Sequence, residues 1–98
     1  MGFFYDLVKA LDSKEEWIRA TAHRVLLERK DDSAAEGLRH VAENGQLPES
    51  RVRALWLLKL INKLQPATVE KAIIDEYGGV REQAILLSVD LWGASPEL

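Results

Sequence analysis

The sequence has no cysteine, which excludes disulfides, thiolate nucleophiles, Cys-ligated zinc and CxxCH haem attachment within the chain. Its two histidines, His23 and His40, are too few for a His-rich metal centre and lack HExxH spacing. Basic charge is also short: 13 Lys and Arg face 16 Asp and Glu, for a formal net charge of −3. Without a basic field the general drive toward nucleic acid or anionic membranes is missing. No apolar run approaches the roughly 20 residues that cross a bilayer. The opening MGFFYDLVKALD lacks the basic start and long apolar stretch of a signal peptide, and Asp6 stands where a myristoylation signal has Ser or Thr. A soluble segment of a longer protein is the expectation.

What is present suits a folded helical domain. Apolar residues make up 47% of the 98 and charged residues 30%, enough for one domain over 1–98 with a modest core and little room for an enclosed active site. Apolar spacing is helical throughout and nowhere alternates as in a strand. Phe4, Leu7, Val8 and Leu11 stripe a first helix. Ser13 and Glu16 offer a capping box for a second, about Lys14 to Arg29, and Ser33 and Glu36 another for a third that stops at Asn44-Gly45. Pro48 suits the first turn of a fourth helix, about Glu49 to Leu64, apolar around most of its circumference and therefore expected as a middle layer with Trp56 and Leu58 buried. Pro66 opens a fifth helix to Asp75. The Tyr77-Gly78-Gly79 turn leads into a sixth ending near Trp92-Gly93, before a frayed ASPEL tail.

The six helices repeat in pairs. Leu7, Leu38 and Val69 in the odd-numbered helices are 31 residues apart. In the even-numbered helices an apolar residue followed by arginine recurs as Ile18-Arg19, Val52-Arg53 and Val80-Arg81, at intervals of 34 and 28. The unequal intervals place length changes in the turns. Repeat two carries Lys59 where the others have Val25 and Leu87.

The segments WIRATAHRVLLE, RVRALWLLKLI and GVREQAILLSV resemble HEAT repeats. That resemblance covers nearly the whole chain and implies an all-α fold: an alpha-alpha superhelix of about three helical hairpins, near 3–30, 34–64 and 67–93. It implies a scaffold or protein-binding module that is not an enzyme by itself and needs no cofactor. Alternatives are an accessory segment of a multidomain oxidoreductase, since the wording is similar to HEAT segments beside sorbosone-dehydrogenase-like propellers and c-type haem domains, or a fragment of a HEAT-like DNA glycosylase. The resemblance also implies that Arg19, Arg53 and Arg81 are structural, bonding Asp12, Asn44, Asp75 or nearby backbone carbonyls.

Arg24, Arg53 and Gln83 are the candidate contacts of a concave face lined by second helices. Trp17, Trp56 and Trp92 recur at comparable places, where core packing is the plainer reading and an aromatic path for a peptide the sharper one. Glu15-Glu16 and Asp31-Asp32 are adjacent on helix starts and turns, so they diverge rather than pair as acid and base. Ser13, Ser33 and Ser88 have no G-x-S-x-G context. Phe3, Phe4 and Tyr5 at one end and Leu91 and Trp92 at the other are apolar where a terminal repeat is normally polar. Partners are therefore expected to be a protein, neighbouring domains, or a second copy meeting through the ends, with no nucleic acid or membrane.

Overall fold

A computed structural model of the chain describes residues 3–92, without the side chains of residues 3–6, 90 and 92. The expectations for Phe3, Phe4, Tyr5, Trp92 and the tail thus lie outside the described side chains. Six α-helices form: α1 (Phe3–Ala10), α2 (Glu16–Arg29), α3 (Ala35–Asn44), α4 (Pro48–Leu60), α5 (Pro66–Ile73) and α6 (Gly78–Trp92), with a short 3-10 turn at Asp32–Ala34. No strand occurs among the described residues. The fold is all-α.

Short turns pair α1 with α2, α3 with α4 and α5 with α6, while α1, α3 and α5 pack side by side in one layer and α2, α4 and α6 in the other. The molecule measures 42 × 26 × 17 Å, its thinnest dimension being that of two helix layers. Between them lies the core, in which Leu11, Leu55, Leu57, Leu58, Val69, Val80, Ala84 and Leu87 are almost completely excluded from water.

Local chemistry sets the helix ends, and not always as the sequence predicts. Ser13 does not cap α2; its Oγ accepts the Glu15 N–H at 3.1 Å and closes the turn ahead of the helix, which begins at Glu16. Likewise Asp31, not Ser33, caps the 3-10 turn: its carboxylate accepts the Ser33 N–H at 2.7 Å, so α3 starts only at Ala35. A carboxylate is the stronger acceptor, and hydrogen bonding from Ser33 holds Asp31 below the ordinary carboxylate pKa. Pro48 and Pro66 occupy the first turns of α4 and α5 as expected, where a missing N–H costs no helical bond.

The fourth helix ends four residues before Leu64. Asn62 adopts a left-handed φ of 63°, and the Lys63 N–H closes back on the Leu58 carbonyl at 2.9 Å, the pattern of a Schellman stop. Gly45 ends α3 for a different reason. Its φ of −58° is ordinary, but an added Cβ would lie 2.7 Å from the Val41 carbonyl oxygen. The close approach demands glycine, not a special backbone angle.

Candidate functional site

The second-layer helices are organised around three arginines, each the fourth residue of its helix. The Arg19 Nη1 donates to the Ser13 carbonyl at 2.8 Å, the Arg51 Nη1 to Gly45 at 2.7 Å and the Arg81 Nη1 to Asp75 at 2.7 Å, always six residues back. The repeating arginine of the second hairpin is therefore Arg51, which corrects the expectation for Arg53. Two arginines flank Val52, and alignment on the apolar-arginine step picks the wrong one. Counting from the start of the helix picks the right one, because the reach back over the turn depends on that distance. The corrected intervals are 32 and 30. They align Ala22, Ala54 and Ala84, all buried, and put Leu57 rather than Lys59 beside Val25 and Leu87.

Two of these arginines also bridge to the next hairpin. The Arg19 Nη2 donates to Glu16 at 2.6 Å and to Glu49 at 2.8 Å. Arg51 grips Asp75 with a two-pronged contact, Nε to Oδ2 at 2.8 Å and Nη2 to Oδ1 at 3.0 Å, with both side chains nearly buried. Partial burial by itself would raise the Asp75 pKa. The bonds from Arg51 and the Tyr77 N–H, with the charges of Arg51 and Arg81, outweigh it and hold that carboxyl below its usual value.

Asp12 does not meet an arginine. It accepts the N–H groups of Gln46 and Leu47, at 2.9 and 3.3 Å, and so caps the start of the neighbouring α4. Glycine at position 45 has no side chain to serve Leu47, whereas Ser13 and Asp75 serve the equivalent N–H groups of Glu15 and Tyr77. Asn44 reaches only His40, at a long 3.5 Å.

Arg53 lies on the outward side of this layer. Its Nη1 is 2.8 Å from the His23 Nδ1 and its Nη2 donates to Glu49 at 3.3 Å. Since guanidinium only donates, His23 accepts at Nδ1 and is neutral there. Burial first, and the Arg53 charge second, lower the His23 pKa. With Val52, Tyr77 and the Gly78-Gly79 start of α6, these side chains line an open groove of about 600 Å³. No family model matches the chain, and no curated protein or solved structure matches it.

Trp56 is 36% exposed, a correction to its expected burial. The fourth helix does sit between α2 and α6, but a two-layer fold leaves one side of it facing water. There the Trp56 Nε1 donates to Gln83 at 2.8 Å, and Lys59 stands 5.8 Å from the ring centroid. Arg24 holds the matching place on α2 and has only a long 3.5 Å contact with Glu28. Arg24, Arg53 and Gln83 thus occupy one face of three successive helices without touching one another, and Trp56 belongs to the same face, closer to the aromatic path the sequence allowed than to the core packing it favoured. Among the described residues no His, Asp and Glu cluster is arranged to hold a metal ion, and no helix is long and apolar enough to cross a membrane. His40 is exposed on α3, in the other layer from His23.

Proposed function

We propose that the chain is a protein-interaction module of HEAT-like hairpins, binding through the outward face of α2, α4 and α6 and carrying no catalysis of its own. The observation behind this reading is an asymmetry between the layers. Among the described side chains, which on α1 begin at Leu7, the exposed large apolar residues within helices are Trp17, Leu27, Trp56, Leu60, Ile85, Leu86, Val89 and Leu91, all on α2, α4 or α6, while Ile74 and Tyr77 lie in the turn after α5. The outer sides of α1, α3 and α5 present polar groups such as Lys9, His40 and Glu70 instead. Exposed apolar and aromatic side chains concentrated on one layer are the mark of a docking face.

The groove beside Arg53 offers a place for a backbone or short side chain, while Trp56 and Leu86, at matching places on neighbouring helices, offer apolar contact. Arg24 and Arg53 present donors to carboxylates or carbonyls. The test is affinity for a partner captured with the full chain and then purified. Trp56→Ala and Arg24→Ala should each weaken binding about tenfold, while His40→Ala on the other layer should not. Equal binding by both outward-face variants would dispose of this reading.

A further inference from the structure

The corrected register exposes a difference at the last hairpin. Arg19, Arg51 and Arg81 each bond their own turn, and the first two also take a carboxylate from the next hairpin: Glu49 in the first turn of α4, and Asp75 just ahead of α6. Arg19 and Arg51 are only 7% and 8% exposed as a result. Arg81 is exposed and makes its backbone bond alone, with no carboxylate in ion-pair contact among the described residues.

The residues one turn further along face the same way. They are His23, Leu55 and Ile85. Arg53 covers His23, Leu55 is fully buried, and Ile85 is 53% exposed, with Val89 one more turn along at 61%. An apolar strip beside a guanidinium with unused donors is complementary to one kind of surface: an apolar helix face bearing an acidic group at its start.

We propose that this edge of α6 docks an amphipathic helix of a partner protein, one with an Asp or Glu in or just ahead of its first turn, seated as α6 is seated on α4. Its apolar side covers Ile85 and Val89, and its carboxylate takes the free side of Arg81. A second copy of this chain stacked in the same register would bring no carboxylate to either matching place. At the places matching Glu49 and Asp75 its first hairpin has Trp17 and Ser13. This edge adjoins the outward face along α6, where Ile85 and Val89 are exposed, and it rests on the same reading of the chain as a protein-binding module.

The probe is a labelled synthetic peptide copying residues 75–92, the segment that already seats on α4 through Asp75, titrated against the full chain. Saturable binding is expected. Arg81→Met in the chain or Asp75→Asn in the peptide should each weaken it by about tenfold or more, and combining them should add little, because both remove the same pair. Arg81→Lys should restore part of the affinity, and Ile85→Asp should abolish it while the chain stays helical. Three results would overturn the proposal. One is a peptide that does not saturate. Another is binding indifferent to Arg81, as when the peptide exchanges into the seat of α6 on α4. The third is a dimer of the free chain that Ile85→Asp splits, which makes a second copy the occupant. Trp56→Ala should leave peptide binding unchanged, so loss of this edge and loss of the outward face are read separately.

Discussion

Between the first and second hairpins, the second-layer helices meet through Arg19, Glu16, Glu49, Arg53 and His23, and the two glutamates are 66% and 45% exposed. Between the second and third, α4 and α6 carry Leu55, Leu58, Val80 and Ala84, all with no exposed area, and the ion pair of Arg51 with Asp75 is about 10% exposed. The same helical geometry thus carries two kinds of seam. Water screens the charges of the first, so its ion pairs stabilise little. The second excludes water over a wide apolar area, and the pair of Arg51 with Asp75 is a matter of satisfying buried charges.

The largest effect should come from the apolar seam. Leu58→Ala removes a side chain with no exposed area, and such truncations cost about 2–5 kcal/mol. For a chain of this size that lowers the melting temperature by roughly 10 °C or more. A shift of only a degree or two in a thermal melt would refute the contrast between the seams.

The arginines divide it more finely. Arg51→Met leaves Asp75 and the Gly45 carbonyl without their donors in a nearly buried place, at a cost of about 3 kcal/mol. Arg53→Met removes contacts to exposed glutamates and to His23, and should cost under about 1 kcal/mol. Denaturant titration of the two variants side by side measures the gap. If Arg53→Met proves the more damaging, the register assigned to the second hairpin is wrong.

Gly45→Ala should fall between them. The new Cβ would meet the Val41 carbonyl oxygen at 2.7 Å and the Arg51 Cγ at 3.3 Å, so the turn must open and loosen the Arg51 bond to it. Overpacking of this kind costs about 1–3 kcal/mol. An unchanged denaturation midpoint would mean that the turn yields freely.

Much of this was legible in the sequence, and the failures have physical causes. Helix starts at Pro48 and Pro66 and the pairing of helices follow from local rules that tertiary contacts do not override. Asp12 was misread because a carboxylate in a turn serves whichever donor lies nearest, and here that is the next helix, 34 residues away. Trp56 was misread because an apolar circumference cannot say how many layers surround a helix. Ser50 is the other surprise. It stands where Ile18 and Val80 stand in the other hairpins, fully buried, its hydroxyl without a hydrogen-bond partner among the described residues. The structure offers no compensation for that cost.

The smallest effect should be confined to the polar seam and to a pH window. His23 has a lowered pKa in the folded chain because burial and Arg53 disfavour its cation. The unfolded chain binds that proton more readily, with a pKa near 6.5. The stability linked to neutral His23 is therefore complete above about pH 6.5 and declines as the pH falls toward the folded value. Protonation also costs Arg53 its acceptor and places two cations side by side. Urea titrations at pH 7.5 and 5.5 should show the wild type losing stability at the lower pH, and His23→Gln, which keeps an acceptor but does not titrate, should flatten that step. Asp31 and Asp75, whose pKa values are also lowered, make their loss only as the pH drops through about 4. A slope between 7.5 and 5.5 that survives His23→Gln would therefore move the pH response away from the Arg53 contact, and with it the claim that the first seam is the one open to solvent conditions.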